Sequence, residues 1–215
     1  MLITDIYDSW KIHKGLQQHM VRVGSVAKFI TDANPGRFDA KNIISACLLH
    51  DLGNLIKSKI DTFPDMYEPE GQDHWRARKQ QMIEIYGPNE DRATEQMVRE
   101  IGVTEEIERI IDVAKLEHCQ LLKDAADDSS RLLLYADMRV QPYHIVSVPE
   151  RFADIRDRYA ALGLPEEVSR SYEDAILEIE SELYDLIPGS PTEITDESTA
   201  AIQTELWNWD IPTAS

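Results

Sequence analysis

Basic residues are scarce in this chain. Its 215 residues hold 22 Lys and Arg against 40 Asp and Glu, for a formal net charge of −18. Non-specific affinity for duplex DNA or RNA comes from cations that neutralise phosphates, so this balance argues against a duplex nucleic-acid partner. A small phosphorylated ligand is not excluded, because a bound divalent cation inverts the local field. Cysteine is scarcer still: Cys47 and Cys119 lie far apart, form no CxxC pair and no disulfide framework, and suit a reducing compartment. The opening MLITDIYDSWKIHK carries acids and Trp10 where a signal peptide needs a basic start and a long apolar stretch. Long apolar runs are missing as well. The longest, IISACLLH at 43–50, falls far short of a bilayer span. These absences predict a cytoplasmic chain with no membrane partner, and they leave its oligomeric state open.

Alternation with period two, internal repeats and low-complexity segments are also absent, and apolar residues recur at helical spacing instead. Hydrophobic residues make up 42% of the chain and charged residues 29%, enough for a real core and against wholesale disorder. Leu16, Met20, Val23, Ala27 and Ile30 form a helical stripe, which predicts a helix over 15–33 ended by AsnProGly at 34–36. Asp39 is placed to cap a central helix that continues through IISACLLHDL toward Gly53. The Pro-, Asp- and Gly-rich stretch 58–73 reads as a lid or substrate loop. Further helices are predicted over 74–86, 90–101, 104–118 and 129–140, from near Pro149, and from Pro165 to before ProGly at 188–189. The expected architecture is an all-α helical bundle, one domain over 1–187 with peripheral C-terminal helices. The tail 188–215 is expected to dock on it, since Trp207 and Trp209 are costly to leave in water.

The chemistry concentrates where acids enter apolar helices. HisAsp at 50–51 follows AlaCysLeuLeu, and Asp137 ends ArgLeuLeuLeuTyrAla. A buried, unpaired carboxylate costs several kcal/mol, and two acids with a histidine from separate helices share a physical solution in a divalent cation. His19, beside Met20 on the first stripe, adds a second imidazole. Two imidazoles and two carboxylates suit Mn, Fe, Co, Ni, Zn or Mg.

The ordered pattern of His19, then LeuLeuHisAspLeuGlyAsn at 48–54, then TyrAlaAsp at 135–137, resembles the HD-domain superfamily of metal-dependent phosphohydrolases. The resemblance covers about residues 13–145. It implies an all-helical fold in which His19, His50, Asp51 and Asp137 bind one divalent metal. It also implies hydrolysis of a small phosphate ester or nucleotide-like substrate by metal-activated water, with Asp51 or Asp137 as proton acceptor. Known activities in the superfamily include phosphatases and nucleotidases, triphosphohydrolases and phosphodiesterases, so membership fixes a chemistry and not a substrate. The chain departs from better known branches at Asn54, where many phosphodiesterase members carry Lys and some nucleotidase members Glu, and it lacks the GlyTyrPro signature of cyclic-dinucleotide enzymes. That departure keeps a second reading, a noncatalytic nucleotide-sensing or assembly module that retains the metal site.

Supporting groups follow from spacing. Asn54, one turn beyond His50 if the helix persists, is placed to orient water or a phosphate oxygen, or else to cap the helix beside Gly53. Arg22 shares a helix side with His19 and suits a phosphate clamp or a salt bridge to a metal-binding carboxylate. Lys57, and loop residues Lys59 and Arg76, are further phosphate contacts, and Arg139 points elsewhere on its helix. Two-metal relatives add histidines between the HisAsp pair and the last Asp. His118 resembles one such ligand, with Asp91 or His74 as its partner, but one ion is favoured because only His118 is well placed. His13 and His144 read as ordinary surface or turn histidines.

Overall fold

A computed structural model describes residues 1–159, 165–185 and 189–214. Among them the chain forms eleven α-helices, short 3-10 turns and no strand; only isolated bridges occur, such as Leu2 with Asp210 and Val140 with Ile145. The fold is all-α, as the sequence pattern requires. Among the described residues no helix is long and apolar enough to cross a membrane.

The central pair is α2 (Lys14–Asp32) and α3 (Ala40–Leu49), packed face to face. Both are buried almost all round: Met20, Val23, Val26 and Ala27 on α2 meet Ile43, Ile44, Leu48 and Leu49 on α3 in one continuous core. Behind them lies α8 (Asp128–Asp137), whose Leu132, Leu133 and Leu134 are buried. α4 (Gln72–Tyr86), α5 (Glu90–Ile101) and α6 (Glu105–Val113) flank this layer, followed by the single-turn α7 (Cys119–Lys123). α9 (Val148–Tyr159) and α10 (Glu166–Asp185) pack on one another, and α10 also covers α7 and α8. Side-chain caps begin most of these helices at the residues expected of them: Asp39, Asn89, Thr104 and Asp127 each accept the backbone N–H three positions on.

The tail docks. α11 (Asp196–Leu206), opened by a capping box at Thr195 and Ser198, packs along α2. Gly24 makes room for it, since a Cβ there would stand 3.2 Å from a methyl of Leu206 and 3.3 Å from one of Leu48. Trp209 Nε1 donates to Ser45 Oγ at 3.0 Å, and Trp207 meets Tyr7 edge-on. Tyr7 belongs to α1 (Ile3–Trp10), a helix not anticipated from the sequence although Ile3, Ile6, Tyr7 and Trp10 have its spacing. The expected boundary at 187/188 lies outside the described residues.

Three helix ends depart from expectation. α3 stops at Leu49 instead of near Gly53. His50 keeps right-handed helical angles as the C-cap, φ −60° and ψ −24°, and Asp51 lies in the turn that follows. α6 stops at Val113, not at 118, because the chain folds back and His118 Nδ1 meets the Val113 carbonyl at 3.0 Å. α8 ends at Asp137, three residues early, where Arg139 is drawn away to the carbonyls of Val146, Pro191 and Ile194. Arg139 therefore ties the tail to the core.

Candidate metal centre

Four side chains predicted from the sequence converge from three helices, two of them at their C-terminal ends. His19 comes from the middle of α2, His50 caps the C-terminus of α3, Asp51 follows in the turn, and Asp137 is the last residue of α8. His19, His50 and Asp51 each present a ligand atom within 4.8 Å of the others, a grouping able to hold a metal ion. Asp137 Oδ1 lies 3.1 Å from His19 Nε2 and 3.5 Å from His50 Nε2. Asp51 Oδ2 stands 3.6 Å and 3.8 Å from the same two nitrogens.

The orientation of each group is set locally. His50 Nδ1 meets the Cys47 carbonyl at 2.8 Å, which fixes the ring and turns Nε2 toward the carboxylates. Nε2 is buried and has no partner with hydrogen-bond geometry. Asn54 Nδ2 donates to Asp51 Oδ2, holding that carboxylate's rotamer. Gly53, the residue between, presses against α5: its N–H donates to Thr94 Oγ1 at 2.9 Å, and a Cβ would sit 2.9 Å from Ala93 Cβ and closer still to the Glu90 carbonyl oxygen. Gly53 is thus required for a close backbone approach, not for an unusual φ.

Burial opposes the charge on His50, yet Asp51, Asp137 and the Cys47 carbonyl override it and push its pKa up to about 9. Burial likewise works against ionisation of both carboxylates. The His50 charge and Lys57 nevertheless hold Asp51 below its ordinary value, and the two imidazoles, His19 and His50, hold Asp137 well below its own. The two ionised acids, 21% and 23% exposed at their side chains, are matched here by the charge on His50.

His19, Asp51 and Asp137 form part of the lining of a cavity of about 450 Å³. The loop 58–73 closes one side with Lys59, Thr62, Phe63, Met66 and Tyr67, as expected of a substrate loop, and includes a 3-10 turn at Pro64–Tyr67. Asn54, Lys57 and Asp137 line it too, with Val140, Pro142 and Arg151 opposite the loop in sequence. Lys57 Nζ stands 3.5 Å from Glu90.

Other predicted residues lie elsewhere. Arg22 does not line the cavity: its Nε stands 3.4 Å from Asp196, at the start of α11, so its salt bridge anchors the tail and not a ligand carboxylate. Arg76 is outside the cavity, held on the surface by Asp61 and Asp73. His118 is turned to the Val113 carbonyl, and Asp91 sits among Lys115, Glu90, Lys57 and Glu117, with burial as the largest cause raising its pKa. Among the described residues no second metal-holding group forms from either, or from His74. His144 is an exposed surface residue, as expected.

His13 is not. It is 4% exposed, caps α2 by accepting the Leu16 N–H at Nδ1, and lies against Tyr67 and Trp75, joining the helix that carries His19 to the cavity loop. A histidine one position before Lys14 at a helix start was the only available signal. Arg151, also missed, had none in a run as charged as Glu150, Arg151 and Asp154. Both cysteines are free and buried. No family model, no curated protein and no solved structure matches the chain.

Proposed function

We propose that the chain is a metal-dependent phosphohydrolase of the HD-domain kind, acting on a small phosphate ester or nucleotide-like substrate. The observation that carries this reading is the convergence of His19, His50, Asp51 and Asp137 beside a cavity that also presents Lys57, Lys59 and Arg151, in a chain of net charge −18. The buried Nε2 of His50 fits it, since that atom faces Asp137 and Asp51 at 3.5 Å and 3.8 Å without hydrogen-bond geometry to either.

His19, His50, Asp51 and Asp137 would hold one divalent ion, and the imidazoles favour Mn, Fe, Co, Ni, Zn or Mg over Ca. When bound, such an ion supplies Lewis acidity toward a phosphoryl oxygen and lowers the pKa of water. The residues themselves do the rest. Asp51 or Asp137 takes up the proton that the attacking water loses, with Asn54 fixing the Asp51 rotamer. Lys57 helps keep Asp51 ionised and neutralises phosphate charge at that end of the cavity. The loop 58–73 limits access of bulk water. His118 and Asp91 are not needed, which supports one ion rather than two.

Metal analysis and phosphate release from a panel of nucleotides and simple phosphate esters test the reading. Release is expected on at least one substrate, lost on chelation and restored by Mn, Co or Ni better than by Ca. Asp137→Asn is nearly isosteric, and should leave a folded, metal-poor protein with turnover lower by orders of magnitude. Wild-type turnover and metal content in that variant would defeat the assignment.

A further inference from the structure

Arg151 stands in the first turn of α9, lines the cavity and is 14% exposed at its side chain. Its Nη1 donates to Asp154 Oδ2 at 3.1 Å. Nε is buried without a partner, and Nη2 makes no hydrogen bond or ion pair among the described residues. The guanidinium is planar, and Nε–H and Nη2–H point the same way along one edge, the fork that takes two oxygens of a carboxylate or phosphate. Asp154 fixes the group from its far corner and leaves that fork unused.

Other arginines with an unpartnered Nε differ. Arg78 commits Nη2 to the Trp10 carbonyl and Arg131 commits it to Glu182, while Arg22 is faced by Asp196 and lies outside the cavity. Only Arg151 among these both lines the cavity and leaves Nε and Nη2 without a partner among the described residues. Asp154 balances its charge but not its donors, so the demand that remains is for oxygen acceptors. The lining of the same cavity also includes Leu16, Phe63, Met66 and Val140, which suit an apolar body.

We infer that Arg151 is a specificity-determining residue that grips a second oxyanion, so that the cavity takes small substrates with an apolar body between a phosphoryl group and another carboxylate or phosphate. The inference rests on the phosphohydrolase reading of the same cavity, and binding tests it apart from turnover. The probes are 4-(phosphonomethyl)benzoate, the matching benzamide, and 1,4-bis(phosphonomethyl)benzene, titrated calorimetrically into Mn-loaded wild type, R151Q and R151K. Wild type should bind at least one two-headed anion roughly tenfold more tightly than the amide, as charge-assisted hydrogen bonds imply. The tighter of the two identifies the second group as carboxylate or phosphate. The ratio should fall to about one in R151Q and fall clearly in R151K, which keeps the charge and lacks the fork. A wild-type ratio near one, or a full ratio retained in R151K or R151Q, would overturn the inference. Phosphate release is read separately: no turnover with the ratio intact defeats the hydrolase reading alone, and turnover with a ratio of one defeats Arg151's role alone.

Discussion

Single residues decide whether the HisAsp pair works as a unit. His50 caps α3 and Asp51 lies in the turn that follows, and that turn is possible because Gly53 lets the chain lie against α5. Gly53→Ala tests this. Its Cβ meets backbone and the Ala93 methyl, none of which is a flexible side-chain end, so α5 or the turn must move. The expected cost is roughly 1–3 kcal/mol of stability, with weaker metal binding than in the wild type, measured by denaturant unfolding and metal titration. Unchanged stability would mean the turn is loosely held. The pattern from His50 to Asn54 was legible because an acid in an apolar helix has few physical explanations. Arg22 and Arg76 were not legible: a long cation reaches in many directions, and Asp196, Asp61 and Asp73 claimed these two.

At the scale of elements, the C-terminal helix is part of the core layer. Leu206 is fully buried and enters the space that Gly24 leaves on α2, the helix that carries His19. Leu206→Ala should therefore cost about 3 kcal/mol, the usual penalty for a buried leucine cavity, visible in urea unfolding. A loss well under 1 kcal/mol would show that α11 is a loose appendage. Tail docking was readable from Trp207 and Trp209. Which helix receives it was not, because every helix in the sequence offers an apolar stripe and only packing selects a partner.

The molecule as a whole is acidic, and one buried base couples it to pH. Burial, the largest influence on His13, lowers its pKa from 6.5 to about 4, against the opposing pull of the Met66 backbone and Glu70. The unfolded chain therefore takes up this proton near 6.5 and the folded chain only near 4. Stability attributable to His13 is intact above pH 6.5 and is lost as pH falls toward 4. His13→Asn keeps a capping acceptor without the titration. Its urea midpoint should fall less between pH 7.5 and 4.5 than that of the wild type, and equal falls would remove His13 as a source of acid sensitivity.

By itself the sequence determined that this chain is helical, because its apolar residues recur at helical spacing and nowhere with period two. It also determined which acids and histidines required explanation, because His50, Asp51 and Asp137 are polar groups set into apolar helices whose burial is costly. Only the tertiary structure decided that these groups and His19 meet, since meeting depends on where α3 and α8 end and on how both lie against α2. It alone decided that His118 and Asp91 stand apart, that His13 is interior, and that Arg151 reaches the cavity with its donor fork open. The physical reason is one of range: local spacing fixes which face of a helix a residue occupies, whereas its partners are chosen by distant segments that packing brings to that face.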